Sequence, residues 1–361
     1  MDRRSFIKGA GVAAAGSALV TPAIAQERVN ITMVATWGRD FPGLGTGAQR
    51  FAESITKVSG GRINVEYFAA GERVAPFDSF DEVASGNAQA YHAAEYYWKG
   101  KHPGFAYFTS VPFGMTPDEI SAWINFGGGQ ALWDKVAGEF GIKSILAGHT
   151  GGQAGGWFNK EINSGEDLKG LKMRMPGLGG DVLAKVGASP VSLPGGQIYE
   201  NLVSGAIDAT EWVGPWNDEA MKFFEAAKYY YLAGMHEPSG SLSCGFNAKF
   251  WADLTDTDRA ILTHCGMAAN DQMLADMNAQ NGPALARLVE DQGVELRKFN
   301  DDVWDALGDG WAQVREDTRA HSQLASDIDD SFDQSLRQIG KWYVDSNAEF
   351  VGQRQRVLGL S

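Results

Sequence analysis

An alternation of strand-like and helix-like segments is the feature that most limits what this chain can fold into. Short apolar runs typical of strands alternate with amphipathic segments typical of helices in the order 29–37, 48–60, 62–72, 77–86 and 88–95. Parallel strands require crossover connections, which are usually helices that cover the faces of the sheet. The pattern therefore predicts an α/β fold with mostly parallel sheets flanked by helices.

The pattern recurs farther along the chain, which favours two similar lobes. Segments 80–93 and 199–212 each read as an amphipathic helix, a Ser-Gly pair and a strand. A chain of 361 residues, 44% of them hydrophobic, is long enough for two units with substantial cores. We expect the first lobe at 26–150 and the second at 151–237, with 238–320 crossing between them and contributing to both.

The last part of the chain, 321–361, is predicted to be a helical region. Apolar residues recur there at intervals of three or four on one face of a long helix: Ile328, Phe332, Leu336, Ile339 and Trp342. We expect this face to pack against its own lobe, and pairing with another copy of the chain remains the alternative.

The N-terminal segment, 1–25, has the pattern of an export signal. Twin arginines, Arg3 and Arg4, precede a weakly apolar run at 9–20, and the small residues of Ala23–Ala25 mark a cleavage site. The apolar run is too short to span a bilayer. The pattern is typical of a twin-arginine signal, which predicts delivery to a bacterial periplasm.

The net charge of −14 argues against nucleic acid or an anionic membrane as a partner. Loss of the signal makes the chain more negative, because Arg3, Arg4 and Lys8 outnumber Asp2 in that segment. An anionic ligand is still compatible with this charge, since a single pocket can be locally positive.

The chain has two cysteines, Cys244 in a strand-like segment and Cys265 in a helix-like one. The periplasm permits a disulfide, but the sequence does not reveal whether the two Cα atoms lie close enough for one. We favour two free, buried thiols, and a bridged pair stays open.

The sequence carries none of the common catalytic motifs. It has no H-E-x-x-H pair, no G-x-S-x-G elbow and no G-x-x-x-x-G-K-[ST] loop. The stretch GLGTG at 43–47 lies between a strand and a helix, but its glycines do not fit G-x-G-x-x-G. We expect it to be a tight loop before the helix. An enzyme is therefore the less favoured class of protein.

Three polar residues of the second lobe stand at the ends of predicted strands. Gln153 lies among glycines in HTGGQAGGW, Arg174 stands alone among apolar neighbours in GLKMRMPG, and Glu211 precedes a tryptophan in DATEWVGP. Each one has an ordinary structural explanation when it is taken singly. Ligands of open α/β sheets collect beyond the carboxyl ends of strands, so together the three residues predict a binding site.

Several stretches resemble one protein family. Segments 151–177, 198–219 and 226–238 look like the extracytoplasmic solute receptors of tripartite ATP-independent periplasmic (TRAP) transporters, and 95–103 and 111–115 extend the likeness to the first lobe. GGQAGGW and DATEWVGP together point to the branch that binds 2-oxo and 2-hydroxy acids with a metal ion. The resemblance covers essentially the whole mature chain, and it implies a two-lobed periplasmic binding protein fold with a long C-terminal helical region.

The resemblance implies residues that contact the substrate. Arg174 would clamp the substrate carboxylate, because a guanidinium group matches two carboxylate oxygens and keeps its charge when buried. Tyr96 would reach the same carboxylate from the first lobe. Trp37 and Phe113 would form an apolar wall, and ordinary core packing is the alternative for these aromatic side chains.

The resemblance also implies a cation that bridges the carboxylate and the adjacent keto or hydroxy oxygen. Its ligands would be side-chain oxygens of Gln153 and Glu211, the main-chain carbonyl of Trp212 and, as a further candidate, Glu237, so that Gln153 and Trp212 also lie against the substrate. The neighbours of Glu237 differ from the Trp-Glu-Gly expected for the family. A ligand set of oxygens favours sodium or calcium over zinc.

We therefore expect a periplasmic receptor that binds a small 2-oxo or 2-hydroxy monocarboxylate together with a cation and delivers it to a TRAP membrane permease. Some relatives exchange a C-terminal helix, which makes a homodimer a further expectation. An exported enzyme that uses Glu211 or His236 for proton transfer is one alternative, and a sensory receptor of the same fold is another. The sequence does not determine which acid or which metal is bound.

Overall fold

A computed structural model describes residues 28–360, which form two α/β lobes, so the predicted signal at 1–25 lies outside the described residues. The strands are β1 Val29–Ala35, β2 Ile63–Phe68, β3 Ala90–Ala93, β4 Ile142–His149, β5 Gly156–Phe158, β6 Lys172–Arg174, β7 Ser189–Val191, β8 Ala209–Thr210, β9 Tyr229–Tyr231, β10 Ser241–Asn247 and β11 Glu295–Arg297. The α-helices are α1 Leu44–Val58, α2 Ser79–Ala84, α3 Pro117–Phe126, α4 Gly129–Gly138, α5 Gly177–Lys185, α6 Ile198–Val203, α7 Pro215–Ala220, α8 Ala248–Asp253, α9 Asp256–Glu290, α10 Asp301–Ala320, α11 Gln323–Tyr343 and α12 Glu349–Leu358.

The first lobe is built on a five-stranded sheet with the order β2-β1-β3-β10-β4. Strand β1 runs parallel to β2 and to β3, as the strand–helix alternation predicts. Strand β10 runs antiparallel between β3 and β4. The sheet is therefore mixed, and a segment from far along the chain completes it.

The second lobe is built on a six-stranded sheet with the order β11-β9-β5-β8-β6-β7. Strand β5 runs antiparallel to its two neighbours, β8 and β9, whereas β6 runs parallel to β8. The carboxyl ends of β6, β8 and β9 and the amino end of β5 therefore meet at one edge of this sheet.

The predicted strand and helix order of the first hundred residues is confirmed, but the start of α1 differs from the prediction. Residues 43–47 are not a loop, because α1 begins at Leu44. Gly43 has a φ of 69°, a left-handed value that favours glycine and turns the chain into the helix. A Cβ atom at Gly47 would overlap the side chain of Met273 on α9. Gly47 therefore permits close packing between α1 and α9.

Three long helices follow β10 and connect the two lobes. Helix α9 packs against β4 and α1 of the first lobe and against α7 of the second, α10 packs against α5, and α11 packs against α3 and α4. Within residues 28–360, no helix has the length and apolar character that crossing a membrane requires.

The C-terminal helix is buried in its first half and exposed in its second half. Ile328 and Phe332 are buried, so the expected packing of this face against its own lobe is confirmed there. Trp342 is 70% exposed, and a single π-helical turn at Val344–Ala348 continues α11 into α12. The apolar stripe thus extends beyond the part that the chain itself covers.

The two cysteines are free and buried, as expected. Cys244 lies in β10 and Cys265 in α9. Both thiols pack in the same apolar cluster of the first lobe, together with Ile31 and Phe51. They serve as small buried side chains.

Candidate functional site

The predicted site residues of the second lobe meet at one edge of its sheet. Arg174 is the last residue of β6, Glu211 follows β8 directly, and Glu237 lies in the loop after β9. Gln153 precedes β5, which runs in the opposite direction, so its loop begins at the same edge. The antiparallel β5 explains how residues before one strand and after three others come together.

Backbone hydrogen bonds tie these loops to one another. The amide of Glu211 donates to the carbonyl of Arg174 at 3.2 Å, and the amide of Gln153 donates to the carbonyl of Glu237 at 2.9 Å. The amide of Ala154 donates to the carbonyl of Val213 at 2.9 Å. The main chain around the site is therefore held rigidly, which limits how far its side chains move.

Arg174 and Glu211 form a fully buried ion pair. Nη1 of Arg174 donates to the Glu211 side chain and to the Glu211 main-chain carbonyl, the latter at 3.1 Å, and Nε donates to the carbonyl of Leu193 at 3.3 Å. The guanidinium carbon also lies 5.2 Å from the centre of the Trp212 ring. These contacts fix the orientation of the guanidinium group.

Two further residues join Glu211 in a buried cluster that could hold a metal ion. Ligand atoms of Glu211, His236 and Glu237 all lie within 4.8 Å of one another. Nε2 of His236 is 3.2 Å from Oε2 of Glu211. Burial, together with the charge of Glu211, raises the pKa of Glu237 well above its ordinary value. A cation placed among these oxygens would offset the repulsion between the two carboxylates.

Several buried polar atoms of the site have no hydrogen-bond partner among the described residues. They are Nη2 of Arg174, Oε1 of Gln153, both carboxylate oxygens of Glu237, Nδ1 of His236 and Nε1 of Trp212. Buried polar atoms are rarely left unpaired unless a ligand, ion or water binds them. The amide oxygen of Gln153 and the carboxylate oxygens of Glu237 are the kind of ligand that sodium and calcium prefer, so these residues fit a hard cation.

A glycine makes room for this arrangement. A Cβ atom at Gly240 would lie 2.8 Å from Nε2 of Gln153 and 3.1 Å from Oε2 of Glu237. Nε2 of Gln153 donates to Oγ1 of Thr150 at 3.0 Å. Because its amide nitrogen is held in this way, Gln153 keeps its carbonyl oxygen free.

Tyr96 reaches the cluster from the first lobe. It lies in a helical turn, Glu95–Trp98, that follows the carboxyl end of β3, and a Cβ atom at Gly177 of the second lobe would be 3.3 Å from its ring. Burial raises the pKa of Tyr96 well above its ordinary value, and the charges of Glu237 and Glu211 add to the shift. The phenol is therefore neutral and able to donate a hydrogen bond.

Trp37 is separated from Tyr96 by the ring of Tyr97. Its indole packs against Tyr97 with ring centres 6.2 Å apart, and its Nε1 donates to His92 at 2.9 Å. Tyr97 in turn packs against Tyr96 at 4.9 Å. Trp37 thus supports the aromatic side of the site through Tyr97.

The structure does not bring the ring of Phe113 to the cluster. This side chain is 38% exposed and packs against Trp304 with ring centres 5.9 Å apart. Its main-chain amide instead donates to the carbonyl of Met235 at 2.8 Å, next to His236. The segment around Phe113 therefore supports the loop of Glu237 through its backbone.

Sequence reasoning missed residues that the fold adds to the site. His236 was expected only as a proton carrier in an enzyme, although its place beside Glu237 was a signal for the cluster. Phe41, from the first lobe, packs edge-on against Trp212 with ring centres 6.1 Å apart. No local pattern marks Phe41, because its partner lies 171 positions away in the sequence.

Two α/β lobes that meet over a buried, charged cluster with unpaired polar atoms define a two-lobed ligand-binding protein. The chain matches the sequence model of the bacterial extracellular solute-binding protein family 7 over residues 35–317, and it belongs to that family. Residues 1–20 match the signal sequence of the twin-arginine translocation pathway. The signal and the family together place the protein in the periplasm.

Similar proteins are known both by sequence and by structure. A monocarboxylate 2-oxoacid-binding periplasmic protein of Nostoc sp. is 36% identical over 350 residues, which are 95% of this chain and 96% of that protein. A TRAP periplasmic solute-binding protein of Pseudoalteromonas atlantica, solved with bound sodium and pyruvate, is 37% identical with a TM-score of 0.87, and the match covers 90% of this chain and 99% of that one. A TRAP periplasmic solute-binding protein of Colwellia psychrerythraea, solved with bound calcium and pyruvate, is 38% identical with a TM-score of 0.88, and the match covers 91% of this chain and all of that one (100%).

Proposed function

We propose that this protein binds a small 2-oxo or 2-hydroxy monocarboxylate together with a cation in the cleft between its lobes and delivers the acid to a TRAP membrane permease. The observation that carries the proposal is the set of buried polar atoms at this edge of the second lobe's sheet, in which Nη2 of Arg174 and the side-chain oxygens of Gln153 and Glu237 have no hydrogen-bond partner among residues 28–360. A donor for a carboxylate and acceptors for a cation are the two groups that such a ligand pair needs. The pyruvate bound with sodium or calcium in the two related structures supports the same ligand class.

Arg174 and Tyr96 would bind the carboxylate of the acid. Of the three guanidinium nitrogens of Arg174, Nε and Nη1 have partners and Nη2 has none among residues 28–360. A hydrogen bond from Nη2 to the acid would be assisted by charge. The phenol of Tyr96 is neutral, so it can donate a second hydrogen bond from the opposite lobe. Contact with both lobes would make ligand binding favour the closed arrangement.

Gln153, Glu211, Glu237 and the main-chain carbonyl of Trp212 would hold the cation. The bound cation would supply positive charge next to the carboxylate and the 2-oxo or 2-hydroxy oxygen of the acid. His236 holds Oε2 of Glu211 through its Nε2 and would orient that carboxylate. The ring of Trp212 would provide apolar surroundings for the acid, and Trp37 would support the aromatic side of the site through Tyr97.

We propose a receptor and not an enzyme, because the two groups suited to proton transfer are engaged with each other. Glu211 pairs with Arg174 through one oxygen and with His236 through the other. A carboxylate that is held on both sides is a poor general base. A sensory receptor would use the same site, and only the partner in the membrane would differ.

We also propose that the C-terminal helices of two copies pair to form a homodimer. Four large apolar side chains on the last two turns of α11 and on α12 are more than 60% exposed: Trp342, Phe350, Val357 and Leu358. Exposed apolar faces of this kind on a helix are typical of surfaces that another chain covers. The stripe supports pairing with a second copy, in which the same faces would meet.

Calorimetric titration of the mature protein with pyruvate, after removal of cations with a chelator and a sodium-free buffer, tests the proposed function. We expect weak binding without a cation and binding at least tenfold tighter with calcium or sodium, because the cation and the acid stabilise each other reciprocally. Propionate, which lacks the 2-oxo oxygen, is the matched control and should show little dependence on the cation. The proposal is wrong if pyruvate, lactate and a branched 2-oxo acid all fail to bind. It is also wrong if neither cation changes their affinity.

A further inference from the structure

A buried carboxylate stands behind the loop that follows β8. Asp218, in the first turn of α7, is fully buried, and its Oδ1 accepts a hydrogen bond from the main-chain amide of Val213 at 3.2 Å. Its other oxygen, Oδ2, accepts hydrogen bonds from Nε1 of Trp157 at 3.0 Å and from the hydroxyl of Tyr230 at 2.8 Å. The three donors hold the carboxylate in a single orientation.

The side chains that hold Asp218 are themselves fixed. The rings of Trp157 and Tyr230 stack with their centres 4.1 Å apart, and both residues lie on neighbouring strands, β5 and β9, in the core of the second lobe. The carboxylate is therefore anchored to the sheet, and the loop of Glu211 and Trp212 is anchored to the carboxylate.

The amide that Asp218 binds shares a peptide unit with the carbonyl of Trp212. In a planar trans peptide the N–H and the C=O point in opposite directions. Because the N–H of Val213 points at Asp218, the carbonyl of Trp212 points away from it. Among residues 28–360, no hydrogen bond to this carbonyl oxygen is found. The peptide is thus held from one side only, and its oxygen is free on the other.

We propose that Asp218 is a positioning residue that aims the main-chain carbonyl of Trp212 at the bound cation. The inference rests on the proposed function, in which that carbonyl is a cation ligand. When Asp218 is ionised, its negative charge next to the N–H also polarises the peptide, which makes the carbonyl oxygen a stronger ligand. Asp218 itself does not touch the cation or the acid in this arrangement.

The substitution Asp218→Asn tests the contact with Val213 separately from the contacts with Trp157 and Tyr230. Its single side-chain oxygen can satisfy the two donors, Trp157 and Tyr230, only if its amide group faces the N–H of Val213. Two donors then face each other, and the Trp212–Val213 peptide loses its anchor. Tyr230→Phe is the matched control, because it removes one donor to Oδ2 and leaves the contact with Val213 in place.

Two measurements on the mature, cation-free protein test the proposal. Calcium affinity without any acid should fall at least tenfold in Asp218→Asn and less than twofold in Tyr230→Phe. Hydrogen exchange of the Val213 amide should accelerate only in Asp218→Asn, a local change that a general loss of stability would not confine to one amide. If the unaltered protein binds calcium and Asp218→Asn binds it equally well, or if both variants lose affinity to the same extent, the positioning role is wrong. If the unaltered protein binds neither calcium nor sodium, the proposed function fails, and the positioning role fails with it.

Discussion

At the scale of single residues, the cleft holds one guanidinium group and two carboxylates. Arg174 pairs with Glu211, whereas neither oxygen of Glu237 has a hydrogen-bond partner among the described residues. The site is therefore negative when both carboxylates are ionised. A divalent cation and a monocarboxylate together would neutralise it, whereas a monovalent cation would require Glu237 to take up a proton. Glu237 is the residue through which the site would distinguish the two kinds of cation.

We expect Glu237→Gln to lower the affinity for calcium at least tenfold and the affinity for sodium much less. The glutamine keeps the shape and one oxygen ligand but removes a charge that a divalent cation requires more than a monovalent one. Titration of the cation-free protein with each cation, in the presence of pyruvate, measures the ratio. Glu166→Gln, an exposed change remote from the cleft, is the control, and an equal loss for both cations would contradict the charge argument.

Another buried carboxylate, Glu95, lies beside Tyr96 but faces the interior of the first lobe. Its Oε1 accepts hydrogen bonds from the hydroxyl groups of Tyr91 at 2.8 Å and Ser144 at 2.9 Å. Burial raises the pKa of Glu95 from 4.5 to about 7. Between these two values the folded state keeps a proton that the unfolded state has released, so the stability of the folded state falls as the pH rises through this window.

We expect Glu95→Gln to remove part of the pH dependence of folding. The free energy of unfolding of this variant, minus that of the unaltered protein, should increase on the order of 3 kcal/mol between pH 4.5 and pH 8. The reason is that one pKa unit corresponds to about 1.4 kcal/mol. Urea unfolding at several pH values measures the free energy of unfolding of both proteins. Taking the difference between them cancels the contributions of other titrating groups. Among these are Asp218, with its pKa raised to about 7 by burial, and His92, with its pKa lowered to about 4 by burial. A constant difference across this range would contradict the prediction.

The sequence predicted site residues where a local pattern marks them. Gln153, Arg174 and Glu211 each stand at a strand end beside glycine or proline, and the fold brings these three together. The pattern could not reveal the ion pair of Arg174 with Glu211 or the role of Asp218, because both depend on the distances between loops. It also could not reveal that the ring of Phe113 packs on Trp304, because these two residues lie far apart in the sequence and no local pattern marks their contact.

At the scale of elements, periodicity predicted the strands and helices but not their order in the sheets. Strand β10 was recognised as a strand, and its insertion between β3 and β4 is set by contacts more than 90 residues apart. The prediction of a loop at 43–47 was wrong because glycine both ends helices and lets them pack closely. At Gly47 the contact with Met273 of α9 decided between the two uses, and the sequence alone does not reveal that contact.

The C-terminal helix carries the prediction that belongs to this scale. We expect the mature protein to sediment as a dimer at micromolar concentration, and the pair of changes Trp342→Asp and Phe350→Asp to convert it to a monomer, because charges in an apolar helix face oppose pairing. Sedimentation velocity measures the mass. Phe126→Asp is the control, since Phe126 is 91% exposed on another helix. A monomeric unaltered protein, or a dimer that survives both changes, would contradict pairing through this face.

At the scale of the whole molecule, polar side chains join the two lobes around the cleft. Nδ2 of Asn217 donates to the carbonyl of Pro42 at 2.9 Å, and Nζ of Lys99 lies 2.5 Å from both carboxylate oxygens of Asp181. The second contact joins the turn after β3 in the first lobe to α5 in the second. Its side chains are 32% and 43% exposed, so solvent weakens the pair to roughly 1 kcal/mol or less.

We expect Lys99→Met to increase the dissociation rate of pyruvate two- to fivefold at low salt, because the closed arrangement loses one contact between the lobes. The association rate should change little, and the effect should shrink in concentrated salt. Stopped-flow tryptophan fluorescence measures both rates. Lys185→Met is the matched control, since Lys185 pairs with Asp317 on α10 at 2.6 Å and does not bridge the lobes. Equal rates in all three proteins would show that the contact does not retain the ligand.

The late position of β10 in the chain also affects how the protein is synthesised. Strand β4 ends at His149 and β10 ends at Asn247, so 98 residues separate the two positions. At about 5–20 residues per second, the ribosome needs roughly 5–20 s to supply the missing strand. During that time β3 and β4 expose the edges that β10 will later fill, and unpaired strand edges invite aggregation. In a nascent chain of this topology, the edges of β3 and β4 therefore stay unpaired for an interval set by the length of the insertion.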